Sequence, residues 1–209
     1  KDFIVEVNGG GLALGDFDGN GPLDLVVVDG STLERVASGA PGLPARLFLN
    51  DGAAHFSRAG AEWDMRAGRW GMGAATADVD GDGTLDLFVA EWGPNQLFLN
   101  REARGFVEAS ARAGFVGTDW STSGAFLDYD RDGDLDLAVI HYLAFDPHTV
   151  PSRSSGQCSW KGLAVMCGPE GLPALHDQLY RNRGDGSFED VSVAAGFRPP
   201  EPAYGLGAM

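Results

Sequence analysis

The chain has 209 residues, a mass of 22.0 kDa, 44% apolar residues and a formal net charge of −15 at pH 7. That apolar share is ample for one folded core. The acidic balance, with no basic stripe, excludes a role that rests on neutralising nucleic-acid phosphates, and no run of about 18 apolar residues reads as a membrane-spanning helix.

In chain order, a small-residue segment, GGGLALG (Gly9–Gly15), runs into an acidic loop, DFDGNGPLD (Asp16–Asp24), and an apolar strand, LDLVVV (Leu23–Val28). A strand ending in Asn follows, RLFLN (Arg46–Asn50), then a turn and a Phe-led strand, HFSRA (His55–Ala59). The same order returns as GMGAATA (Gly71–Ala77), DVDGDGTLD (Asp78–Asp86), LDLFVA (Leu85–Ala90), QLFLN (Gln96–Asn100) and GFVEA (Gly105–Ala109). It returns again as STSGAFL (Ser121–Leu127), DYDRDGDLD (Asp128–Asp136), LDLAVI (Leu135–Ile140), QLYRN (Gln178–Asn182) and SFEDV (Ser187–Val191). AYGLGAM (Ala203–Met209) restarts the small-residue segment, with Gly205, Gly207 and Ala208 where the second unit has Gly71, Gly73 and Ala74.

Short β-branched and aromatic runs parted by Gly, Asn and Asp are antiparallel strands and hairpins. Four strands per unit, with the first always small enough to crowd a central axis, predict an all-β fold: a β-propeller of four-stranded antiparallel blades, about three blades plus the start of a fourth. The expected blades are 8–66, 70–117 and 120–198, the third with an insertion at 143–176, and 203–209 as the first strand of a further blade. Propellers close with at least four blades. The chain is therefore expected either to be part of a longer one or to have its ring completed by something else. Its start at Lys1 rather than Met suggests a processed or trimmed amino terminus.

The acidic loops carry the chemistry. Each offers oxygen side chains at positions 1, 3, 5 and 9: Asp16, Asp18, Asn20 and Asp24; Asp78, Asp80, Asp82 and Asp86; Asp128, Asp130, Asp132 and Asp136. A backbone carbonyl at position 7 would come from Pro22, Thr84 and Asp134. One Asp-Gly pair is explained by a β-turn, but four acidic or amide groups crowded into nine positions, three times over, repel one another unless a cation sits between them. All-oxygen donors at these spacings suit calcium, which takes six to eight oxygens, over zinc or copper. Three divalent ions would bring −15 to −9 (−15 + 6).

Cys158 and Cys167 lie in a Pro/Gly/Ser-rich stretch. Calcium loops of this kind suit millimolar extracellular calcium, so a disulfide between them is expected. The blade geometry puts the metal loops at one end. The other end collects Trp70, Trp92, Trp120, His141 and Tyr142 with the long insertion, a candidate surface for a protein or glycan partner. Each aromatic taken singly is slightly better explained as blade packing beneath the insertion, while the face as a whole favours a partner.

These loops and strands resemble FG-GAP (VCBS) repeats, the calcium-binding blades of integrin α-chains and many bacterial secreted proteins. FIVEVNGGGLALGDFDGNGPLDLVVV, CGPEGLP (Cys167–Pro173) and DQLYRNRGDGSFEDVSVAAGF (Asp177–Phe197) are similar to the bacterial relatives of cartilage acidic protein. The resemblance implies a seven-bladed or similar propeller, calcium between strands one and two, export from the cytoplasm, and adhesion or scaffold roles without an established reaction. No nucleophile elbow, phosphate loop or Cys–His pattern points to catalysis. The expected function is a non-enzymatic, calcium-binding extracellular or periplasmic module that binds protein, as a scaffold or a subunit of a larger assembly. The alternative is a lectin-like or polysaccharide-lyase propeller.

Overall fold

The computed structural model describes residues 2–66, 68–115 and 117–208. Three four-stranded antiparallel sheets make up the body. The first contains β1 (Gly11–Gly15), β2 (Asp24–Val28), β3 (Arg46–Asn50) and β4 (Phe56–Arg58), with a short helix α1 (Leu33–Ala37) between β2 and β3. The second contains β5 (Gly71–Ala77), β6 (Asp86–Glu91), β7 (Gln96–Asn100) and β8 (Phe106–Glu108), and a one-turn helix α2 (Ser110–Ala113) leads out of it. The third is built from β9 (Ser121–Leu127) and β10 (Asp136–His141), then, past a small hairpin of β11 (Ser159–Trp160) and β12 (Leu163–Ala164), from β13 (Gln178–Asn182) and β14 (Phe188–Asp190). Within each sheet the strands lie in chain order, as up-and-down meanders.

The Asn-terminated strands appear at the expected residues, and each second strand begins at the last Asp of its loop. The first strand of unit one starts later than its small-residue run, because Gly9 and Gly10 hold φ of 132° and 80°, outside the extended range. Ala203–Ala208 forms no strand among the described residues. It lies beside β9 and β10 through Gly205 N–H to the His141 carbonyl (2.9 Å) and Ala208 N–H to Ser123 Oγ (2.9 Å). Met209, the end of that expected strand, lies outside the described residues.

The first strands stand side by side, β1 against β5 and β5 against β9. A Cβ on Gly73 would sit 2.5 Å from the Thr122 carbonyl oxygen, and one on Gly11 2.7 Å from the Gly73 Cα. Backbones approach so closely there that only small residues fit, which is why the repeat keeps them on this strand.

Apolar layers fill the spaces between sheets. Ala13, Val26, Val28 and Leu47 meet Leu87, Val89, Phe98 and Phe106 between the first and second. Phe88, Ala90, Leu97 and Leu99 meet Leu137, Val139, Tyr180 and Phe188 between the second and third. A third cluster caps the end opposite the acidic loops: Trp70, Trp92, Trp120 and Tyr142 pack with Leu143, Phe145 and Val150 of the insertion and with Ile4 and Val5. The face of the first sheet turned away from its neighbour stays open, with Leu12 65% and Leu14 58% exposed.

Candidate metal centres

The first two acidic loops fold around their own first carboxylates. Asp16 accepts the Gly21 N–H (2.9 Å), and Asp78 accepts those of Gly81 (2.8 Å), Asp82 (3.1 Å) and Gly83 (2.9 Å). The chain doubles back on two left-handed residues. One is the expected glycine at position 6 (Gly21 φ 98°, Gly83 φ 88°, Gly133 φ 98°). The other, at position 4, is Gly19, Gly81 or Arg131, the last with φ 65° despite its side chain.

This winding brings positions 1, 3 and 9 together. Asp16, Asp18 and Asp24 each place a carboxylate oxygen within 4.8 Å of the others; so do Asp78, Asp80 and Asp86, and Asp128, Asp130 and Asp136. Position 5 turns instead to local hydrogen bonds. Asn20 donates from Nδ2 to Asp18 (3.0 Å) and to the Asn50 carbonyl (3.2 Å); Asp82 accepts Thr84 N–H (2.9 Å) and hydroxyl (2.6 Å); Asp132 accepts Asp134 N–H (2.9 Å). Pro22, Thr84 and Asp134 sit in the bend two residues ahead of β2, β6 and β10.

Position 9 does more than ligate. The buried carboxylates of Asp24, Asp86 and Asp136 accept the position-2 N–H of their own loop (Phe17, Val79 and Tyr129; 2.9, 2.8 and 3.0 Å). Their other oxygens accept the backbone N–H of the strand-ending asparagine (Asn50, Asn100 and Asn182; each 2.8 Å). Burial, with the nearby Asp80 and Asp82 charges, pushes Asp86 up to about 7; burial likewise raises Asp24 and Asp136. A cation placed among such carboxylates reverses both effects, which favours its binding.

The donor set fits a hard divalent cation. Oδ1 of Asp16 and Oδ1 of Asp80 are buried and accept no hydrogen bond among the described residues, a costly arrangement that an oxygen-seeking ion would satisfy. In the second loop Arg101 pairs with Asp80 (3.0 Å) and reaches Asp82 at 4.0 Å, so part of the charge there already has a partner.

The strand-ending asparagines were not expected to carry a role beyond closing a strand. Asn100 Nδ2 donates to the Leu85 carbonyl (3.2 Å) and across the sheet boundary to the Phe17 carbonyl of the preceding loop (2.9 Å). Asn182 repeats this with Leu135 (3.0 Å) and Val79 (2.8 Å). The first two metal loops are thus each tied to the next sheet by a side-chain amide. Asn50 makes the local bond to Leu23 (3.0 Å).

The five residues expected on a partner-facing surface lie elsewhere. Trp70, Trp92, Trp120, His141 and Tyr142 are buried, which corrects the expectation of an exposed aromatic face. Trp120 stacks edge-on with Tyr142 (5.1 Å) and Phe145 (5.7 Å), and Trp92 with Phe145 (5.0 Å), because the insertion folds back over them. His141 bonds Ser121 Oγ through Nε2 (3.2 Å), and burial lowers its pKa. The insertion also carries the disulfide between Cys158 and Cys167.

Repeated four-stranded sheets, each with a three-carboxylate loop between its first and second strands, define a tandem-repeat protein whose loops can hold metal ions. Residues 16–89 and 78–139 each match the FG-GAP-like repeat, and together they span 16–139, more than half of the 209 residues. The chain belongs to the FG-GAP-like repeat family, whose members are typically protein-interaction modules. No match to a curated protein was found. Among the described residues, no helix is long and apolar enough to cross a membrane.

Proposed function

We propose that the chain is an arc of a calcium-braced β-propeller that acts as a non-enzymatic scaffold and protein-binding module outside the cytoplasm, within a larger assembly. One observation carries the reading: the same carboxylate trio recurs in every unit, in the same register, at the base of the second strand. Calcium suits it because every donor is oxygen and calcium accepts six to eight oxygens in flexible geometry.

The propeller reading is supported by the order of contacts. The first and second loops are each bonded to the sheet that follows, through Asn100 and then Asn182, and the open face of the first sheet repeats the apolar surface that the second sheet buries. A further sheet on that face would continue the ring. The disulfide supports export, since such bonds persist in oxidising compartments. The similarity of several segments to VCBS-type proteins and to bacterial relatives of cartilage acidic protein agrees with a binding role rather than a reaction.

Thermal unfolding with calcium, with magnesium and with excess chelator tests the proposal. Ion binding to the folded state adds about 2.7 kcal/mol per site at a hundredfold excess over Kd. Calcium should therefore raise the Tm strongly and magnesium weakly. A Tm equal in calcium and chelator would end the metal-braced reading.

A further inference from the structure

The end of the molecule opposite the acidic loops holds a built cavity that neither the family match nor the metal sites account for. β6 begins at the metal-loop residue Asp86 and ends at Glu91; Trp92, the next residue, lines a cavity of 340 Å³ with Arg69, Asp119, Trp120, Phe145 and Asp146. The insertion forms one wall and the starts of the second and third sheets form the other.

The cavity opens to solvent, with Asp119 and Asp146 exposed and Arg69 half-buried, and its charged groups have few partners within the protein. The Arg69 guanidinium lies over the Trp92 ring at 4.4 Å and, among the described residues, makes no ion pair and no side-chain hydrogen bond. Stacking fixes its plane, so its donors are pre-oriented. Trp120 is 1% exposed, and its indole Nε1 has no hydrogen-bond partner among the described residues. Asp146 uses one oxygen to accept the His148 N–H (2.9 Å); the other is free to accept from a ligand. The Asp119 carboxylate takes part in no hydrogen bond or ion pair among the described residues.

The mixture selects the ligand class. An anion would meet two carboxylates, and a cation would meet the guanidinium. A neutral molecule with adjacent hydroxyls suits both, donating to Asp119 and Asp146 while accepting from Arg69. The volume sits at the lower end of ligand pockets, roughly 300–1,000 Å³, which suits one or two sugar units. We infer that this cavity binds a neutral saccharide unit, held by Arg69, Asp119 and Asp146. The inference does not depend on the metal reading, because the loops lie at the other end of the sheets.

Saturation-transfer NMR and tryptophan-fluorescence titration test it on the calcium-loaded full chain. The probes are D-glucose, D-galactose, D-mannose, L-fucose and N-acetyl-D-glucosamine, with D-glucuronate and D-glucosamine as charged counterparts. At least one neutral sugar should saturate with a Kd on the order of a millimolar, and Arg69→Ala and Asp146→Asn should each weaken it about tenfold. Asp146 is exposed, so its variant folds even where Arg69→Ala does not. Absence of saturable binding by every neutral sugar at about 50 mM, tighter binding of a charged counterpart, or neutral-sugar affinity unmoved by Asp146→Asn would each overturn the inference.

Discussion

Replacing Asn100 with alanine isolates the contact that joins a metal loop to the next sheet. The Asn100 side chain is fully buried, and its Nδ2 serves the carbonyls of Phe17 (2.9 Å) and Leu85 (3.2 Å). Alanine keeps the backbone N–H that Asp86 accepts, so the loop's own anchor survives. Two acceptors lose their donor, at about 1–2 kcal/mol each, or about 2–4 kcal/mol together. For a chain of this size that is a Tm loss of about 4–15 °C. Asn50→Ala is the matched control. It has the same place in its repeat, but its Nδ2 bond, to the Leu23 carbonyl (3.0 Å), is solvent-exposed and crosses no sheet boundary, and the loss should stay near 1 kcal/mol. Both variants are melted by circular dichroism in saturating calcium. Equal shifts, within about 2 °C, would refute the claim that the asparagine amide ties sheet to sheet.

Two further outcomes follow from the same geometry. Gly73→Ala places a methyl 2.5 Å from the Thr122 carbonyl oxygen, with backbone on both sides, and should cost about 3 kcal/mol or more, read as lost Tm or soluble yield. Burial pushes Glu91 up to about 7, against hydrogen bonds from the Arg69 and Trp70 N–H groups that lower it. Its folded pKa lies above the unfolded one, so the folded state holds the proton more tightly. That stability is full below about pH 4.5 and is lost as pH rises through about 7, by up to about 3 kcal/mol. Urea melts in calcium, which keeps the loop carboxylates ionised, should show this fall, and Glu91→Gln should flatten it; an unchanged slope would contradict the assignment.

Much of the fold was legible because the repeat states it three times. The Asn-terminated strands and the left-handed glycine at position 6 each recur with the same neighbours, so local pattern and tertiary position agree. Other features depend on contacts between distant residues. Asn20, Asp82 and Asp132 have the right chemistry for ligands, yet Asp82 and Asp132 accept N–H and hydroxyl groups of their own loop while Asn20 donates to Asp18 and to the Asn50 carbonyl, and spacing alone does not reveal which way a side chain turns. Arg131 takes a left-handed conformation at position 4 where the other loops have glycine. The tryptophans read as a recognition face because the insertion's return path is not periodic; Phe145 and Val150 cover them. Arg69, Asp119 and Asp146 come from three separate segments, so no motif announces the cavity they share.

Isothermal titration of chelator-stripped protein with calcium tests the central claim most directly. The account predicts three ions per chain, and two after Asp78→Ala, which removes the carboxylate around which the second loop winds. No measurable binding, or a stoichiometry that Asp78→Ala leaves unchanged, would contradict it.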